Sequence, residues 1–318
     1  MKSKISRIYV LTLIMTGCLL MSAGSALGYI TETWEKDFDV KPGGNLYVES
    51  DLGAIYIETN SDNKVKIEVT ARIDTRSENK AKDILEDFNI DFEQKGDDVT
   101  VFAEYKRRRS WSLWGNSNRN LRIEYYISVP KEYNIDLYTA GGSIEVDDLN
   151  GEVRVETSGG SLHFEGINGP VEGKTSGGSI SLESCTGDVD VKTSGGSISI
   201  GEVKGDVEAH TSGGSIQVDE VYGLLNAKTS GGSITARIEG QPDEECRLST
   251  SGGSITVYLE RDINVDIDAK TSAGYVDTDF PVTVRGKIRK SSLRGKINDG
   301  GPELYLRTSA GNININEI

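Results

Sequence analysis

Serine and glycine raise the first chemical question in this chain. The phrase Thr-Ser-Gly-Gly-Ser-Ile begins at Thr175, Thr193, Thr211, Thr229 and Thr250, and a Leu-ending copy begins at Thr157. Its serines Ser158, Ser176, Ser194, Ser212 and Ser230 form a ladder, but a serine nucleophile needs a positioned base. The two histidines, His163 and His210, fall in different outward registers of the repeat, nearly three units apart. The phrase also lacks the Lys of the phosphate-binding G-x-x-x-x-G-K-[ST] pattern, and a strand pattern follows it. Carboxylates recur in register, as Asp188 with Asp206, Glu165 with Glu183 and Glu202 with Glu220. Such pairs on adjacent coils would stand about 5 Å apart, a separation suited to glycoside hydrolysis or Ca²⁺ ligation. Repetition alone produces the same proximity, however, and the Ca²⁺-binding repeat pattern is absent. No catalytic residue, metal or cofactor is assigned.

One segment departs from the repeat. Residues 106–120, Lys-Arg-Arg-Arg-Ser-Trp-Ser-Leu-Trp-Gly-Asn-Ser-Asn-Arg-Asn, place Arg107, Arg108 and Arg109 beside Trp111 and Trp114. Guanidinium and indole groups together suit sugar stacking, anionic polymers or a membrane interface. The same residues also fit a long hairpin loop whose tryptophans fold back onto the protein. Arg107, Arg108, Arg109, Trp111 and Trp114 are the binding candidates.

These residues must be positioned by a repeating frame. The Thr of each phrase recurs at 139, 157, 175, 193, 211 and 229, a period of 18, then at 250 and 271, with weaker copies at Ser291 and Thr308. A fixed period of this size signals a solenoid. Apolar and polar residues alternate on both sides of the phrase, the strand signature. Ile135, Val153, Val171, Val189, Val207, Leu225, Cys246 and Ile267 form one inward column; Ile144, Leu162, Ile180, Ile198, Ile216, Ile234 and Ile255 form another. The Thr residues share the inward parity, so their hydroxyls serve the corner rather than an ice-binding face. A second glycine column, Gly151, Gly169, Gly187, Gly205 and Gly223, marks the other corner. Outward, Glu172, Asp190 and Glu208 stand beside Lys174, Lys192 and His210, as on a solvated surface.

The expected fold is therefore all-β: a single-stranded parallel β-solenoid (β-helix) with 18–21-residue coils and an N-terminal capping helix. The helix is expected near 77–89, capped by Ser77, with Ala81, Ile84, Leu85 and Phe88 on its apolar face. Cys185 and Cys246 each replace an aliphatic residue in a core column and lie more than three coils apart, too far for a disulfide. They read as buried free thiols.

Residues 1–28 read as an export signal: Lys2, Lys4 and Arg7, an apolar run, then small residues. The alternatives are a loose lipobox that would lipidate Cys18 and attach the N-terminus to a membrane, and an uncleaved membrane anchor. Residues 29–130 are expected to start and cap the solenoid, and 131–318 to form its regular repeats. The formal net charge of −15 becomes −18 without residues 1–28, which argues against nucleic acid as a partner.

The stretch Ile-Ser-Val-Pro-Lys-Glu-Tyr-Asn-Ile-Asp-Leu-Tyr-Thr-Ala-Gly-Gly-Ser-Ile from Ile127, followed by the phrase repeats and by Thr-Ser-Ala-Gly-Asn-Ile from Thr308, resembles the bacterial "putative adhesin" family of unknown function, related to head-GIN-type proteins. The similarity covers residues 40–318. It implies a Gly-rich β-repeat architecture behind an export signal or anchor, and no catalytic residues. The expected function is a non-catalytic, exported adhesin-like module, extracellular, periplasmic or on the cell surface. Its partners would be envelope polysaccharide, an anionic polymer or a surface protein. A carbohydrate-active enzyme on a parallel β-helix is one alternative. A self-assembling scaffold, growing through an unprotected C-terminal strand Gly-Asn-Ile-Asn-Ile-Asn-Glu-Ile, is another.

Overall fold

Two long sheets face each other across a continuous dry core in the computed structural model, which describes residues 28–106, 121–284 and 289–318. Residues 1–27, with Cys18, and residues 107–120, with all five binding candidates, lie outside the described residues. Sheet I carries the strands that follow each phrase, such as Leu162–Asn168, Ile180–Cys185 and Ile198–Val203. Sheet II carries those that precede it, such as Val153–Thr157, Val171–Thr175 and Val189–Lys192. Thr157 pairs in parallel with both Thr139 and Thr175, so the 18-residue period is the step from one coil to the next. The inward columns are buried throughout, and Cys185 and Cys246 are buried free thiols within them, on opposite sheets. Burial pushes both thiols up, Cys185 to about 11, so both stay un-ionised and unreactive at neutral pH.

The phrase is a corner whose polar atoms are used up by stacking. Each phrase Thr is buried, at 0–6% exposure from Thr139 to Thr308. Thr193 Oγ1 donates to the Gly178 carbonyl of the preceding coil (2.7 Å) and accepts from its own Gly196 N–H (3.4 Å). Thr157, Thr175, Thr211, Thr229 and Thr250 repeat this clamp. The second serine works between coils: Ser197 N–H donates to Ser179 Oγ at 3.2 Å, and Ser215 N–H to Ser197 Oγ. A Thr193→Val protein keeps the shape but leaves a carbonyl and an N–H without partners. It is expected to lose about 1–3 kcal/mol in a denaturant titration, with the loss confined to signals from neighbouring coils.

Core volume is conserved across the sheets. Gly173 takes a place held by Val155 and Val191 in adjacent coils, and the facing ring of Phe164, fully buried, fills the space.

The coils do not stack in chain order at either end. The strand Glu303–Thr308 lies between Cys246–Ser249 and Val265–Thr271, and Ile313–Glu317 lies between Ile255–Leu259 and Val276–Thr278. The last coil of the chain is thus wedged inside the stack. The expected unprotected C-terminal edge is overturned, because Ile313–Glu317 is paired on both sides. The other end mirrors this: Asn45–Ser50 and Ala54–Asn60 sit inside Asp98–Tyr105 and Leu121–Pro130. Among the described residues, each sheet contains eleven successive parallel strands. Antiparallel strands finish both sheets at one end, with Ile30–Asp39 and Phe88–Lys95 outermost, and sheet II at the other, with Val282–Val284 outermost.

A helix spans Glu78–Leu85, with the Ser77 hydroxyl accepting from Lys80 N–H. It is shorter than the sequence suggests because Phe88 opens the antiparallel strand Phe88–Lys95 instead. The Phe88 ring packs on Trp34, with centroids 5.7 Å apart. On the same edge strand as Trp34, Glu32 is 8% exposed, and burial holds its carboxyl above the usual range. A raised folded-state value means that the ionised form costs stability, a penalty absent at low pH that grows as pH rises through that value. Glu32→Gln is therefore expected to melt above the unmodified protein at about pH 8, with the gap closing toward about pH 3, as read by circular dichroism.

Candidate functional site

The catalytic possibilities come apart once the side chains are placed. The first serines of the phrase, such as Ser176 and Ser194, are exposed. His163 lies on sheet I and His210 on sheet II, so neither sheet brings the two together. His210 belongs to the outward column Lys174, Lys192, His210, Lys228. It is half-buried rather than exposed, and its Nδ1 is 3.5 Å from Glu208. Desolvation outweighs Glu208 and lowers its basicity, with Lys192 and Lys228 pushing the same way.

The middle of sheet II's outer face holds an open groove of about 460 Å³ lined by Glu172, Asp188, Asp190, Asp206 and Glu208. These carboxylates are already employed. Asp188 Oδ1 accepts from Asp206 N–H (3.0 Å), and Asp206 Oδ1 from Leu224 N–H (2.8 Å). Glu172 is held by Lys174 and by Arg154, and those hydrogen bonds keep its carboxyl below the usual range. Asp190 Oδ2 accepts from Lys192 at 3.1 Å; Oδ1 is 3.0 Å from the same Nζ but off the hydrogen-bond angle. An ionised, paired carboxylate such as Glu172 is a poor general acid.

A carboxyl pair that sequence reasoning missed lies on sheet I. Glu239 is only 15% exposed through its side chain, and its carboxyl is raised by desolvation and then by the neighbouring Glu260. The pair continues the register of Ile238 on Leu259, a step of 21 residues, so the 18-residue period does not reveal it.

Toward the C-terminal end, sheet II becomes cationic. Arg247 pairs in register with Tyr305, and the guanidinium carbons of Arg247 and Arg307 lie 4.3 and 3.9 Å from the Tyr305 ring centre. Asp268 accepts from Arg294 (2.5 Å) and lies 2.9 Å from Arg307; these partners outweigh its desolvation and lower its carboxyl. Sequence spacing carries a signal for this patch. Lys228, Lys270 and Arg307 each precede a marker Thr by one residue. Stacking in chain order hides it.

The strands on either side of the basic-aromatic segment, Asp98–Tyr105 and Leu121–Pro130, share rows with those around the phrases. Ala103 and Thr139 are both register partners of Ser50, and Tyr125 and Ile144 are both partners of Ile55. Ala103 and Tyr125 therefore hold the positions that Thr139 and Ile144 hold on either side of a phrase.

The sequence model of the family Toastrack DUF4097 matches residues 45–316. No curated protein matches the chain. Among solved structures, a "putative cell adhesion protein" from Clostridium sporogenes is 17% identical, covering 89% of this chain and 99% of its own, with a TM-score of 0.28. A "putative adhesin" from Bacteroides fragilis is 13% identical, covering 90% and 97%, with a TM-score of 0.33.

Proposed function

Because the chain belongs to the Toastrack DUF4097 family, we propose that it is a non-catalytic, adhesin-like binding solenoid, exported behind residues 1–28, with the helix Glu78–Leu85 serving as its N-terminal cap. Residues 29–130 start the solenoid and 131–318 are its regular part. The ligand is an envelope polysaccharide or another anionic surface polymer. Arg107, Arg108, Arg109, Trp111 and Trp114 make the contacts. The observation that carries this reading is that the strands flanking residues 106–120 occupy the rows that flank a phrase. A chain of formal charge −15 places four consecutive basic residues and two tryptophans in this interval of the sequence. The phrase threonines and second serines and the groove carboxylates, by contrast, serve the stack itself.

The test compares residues 29–318 with a version in which 107–120 is replaced by a short Gly-Ser linker, using purified envelope polysaccharide in a sedimentation assay. Weakening of about tenfold or more is expected, the scale of losing an aromatic and Arg anchor. Equal binding by both proteins would end the role of this segment.

The Glu239–Glu260 pair favours a second reading, a carbohydrate-active enzyme. Reducing ends released from envelope glycans by the intact protein, and not by Glu260→Gln, would decide for it.

A further inference from the structure

We infer that the C-terminal third of sheet II's outer face is a separate docking strip for a linear acidic polysaccharide. Its core is one column of residues brought together by the wedged last coil. Lys228 pairs in register with Ser249, Ser249 with Arg307, and Arg307 with Lys270. The neighbouring column supplies Arg247 and, beyond Asp268, Arg294. Strand spacing puts successive column members about 4.8 Å apart, so the strip runs about 14 Å along the axis.

The charges here differ from those further back along the same column. Lys174 and Lys192 are bound to Glu172, Asp190 and Glu208. Among the described residues, Lys228 and Lys270 make no ion pair through their side chains. Arg247 is paired with Glu245, and Arg307 and Arg294 share the single carboxylate of Asp268, which with Lys228 and Lys270 leaves an excess of positive charge. Beside the cations, on the corner side, stand the exposed hydroxyls of Ser230, Ser251, Ser272 and Ser309. Cations and hydroxyls in parallel rows match a polymer that carries an anionic group and free hydroxyls on successive units.

Shape selects this occupant over a bilayer. The strip is narrow, with the acidic groove beyond one end and Glu245 and Glu303 along its flank. A broad anionic surface would meet those carboxylates as well. Tyr305, the aromatic ring at its centre, is covered by two guanidinium groups instead of being free to insert.

The inference shares the binding reading above but uses different residues. The test measures binding of residues 29–318 to dextran sulfate and to polygalacturonate, with neutral dextran as blank, for three proteins. These are the unmodified chain, Lys228→Glu/Lys270→Glu, and Lys174→Gln/Lys192→Gln. A fourth protein lacks 107–120. The double Glu variant is expected to bind about tenfold more weakly with unchanged circular dichroism, while the Lys174/Lys192 variant stays within about twofold. The version lacking 107–120 is expected to keep sensitivity to Lys228→Glu/Lys270→Glu when the changes are combined. Equal binding by the double Glu variant would overturn the strip while leaving the segment 106–120 untouched. Because Lys→Glu changes the charge twice as much as Lys→Gln, a loss of about threefold or more in the Lys174/Lys192 variant would reduce the effect to overall charge and overturn it too. Binding to anionic phosphatidylglycerol vesicles with the same dependence on Lys228 and Lys270 would overturn the choice of polysaccharide.

Discussion

A chain ending at Gly301 is expected to lose the coil that precedes the cut, not merely the residues removed. Deletion of 302–318 takes Leu304, Leu306, Ile313 and Ile315 out of the core, each 0–1% exposed. At about 1.5–3 kcal/mol per buried aliphatic side chain, that is roughly 6–12 kcal/mol, comparable with the whole stability of an ordinary domain. The deletion also empties a level between two others. Val265–Thr271 loses Glu303–Thr308 as its parallel partner, and Val276–Thr278 loses Ile313–Glu317. Residues 265–297 are expected to lose amide-exchange protection. Coils around Val171–Thr175 should keep it, because each repeat depends on its neighbours only. Had the coils stacked in chain order, the same deletion would strip an outer layer and spare everything beneath. Retained protection at Val265–Thr271 in the shortened chain would refute the wedged arrangement.

The two glycines of a single phrase are expected to differ sharply. A Cβ on Gly196 would stand 2.1 Å from the Gly178 carbonyl oxygen and 2.4 Å from its carbon, both backbone of the adjacent coil. Neither can rotate away. Making room means parting the coils at that corner, which breaks the Thr193–Gly178 and Ser197–Ser179 hydrogen bonds. On Gly195 the nearest atom is 3.2 Å away, and the residue is exposed. Gly196→Ala is therefore expected to cost about 3 kcal/mol or more, and Gly195→Ala about 1 kcal/mol or less. The same asymmetry should recur for Gly178 against Gly177. Similar losses at both positions, measured by denaturant titration, would show that backbone freedom and not coil contact governs the corner.

Much of this frame is legible in the amino-acid order, for a physical reason. In a solenoid the neighbour of residue n is residue n + 18, so columns can be read off directly, as Val171 on Val189 on Val207. Even the inward Thr could be inferred from parity. The ends were less legible. Lys-Val-Lys-Ile-Glu-Val alternates alike in a parallel or an antiparallel ladder, and Lys64–Ile73 turned out antiparallel on both sides. Phe88 satisfies a helical period and a strand period equally. Nothing local in Thr271 or Thr308 says which coil rests on Thr250; that is decided by how a whole coil fills the gap. The candidate site inherits this limit. The carboxylates of the groove could be seen in register, but not their engagement with backbone N–H groups. The cationic strip exists only because Arg307 and Lys270 come beside Ser249 in an order the chain does not follow.

The wedged last coil also bears on how the molecule carries a mechanical load. A pull at Ile318 acts on Ile313–Glu317, which has a parallel ladder along each edge. Both ladders resist at once, so the strand must be sheared out lengthwise. A pull at Ile30 meets one antiparallel ladder to Lys64–Ile73, which can unzip pair by pair from its free end. The two termini therefore differ in tensile strength, and single-molecule stretching from each in turn should yield early at the N-terminal edge and late at the C-terminal strand. For a protein whose proposed work is to hold on, the stronger grip lies at the end that its fold has tucked inside.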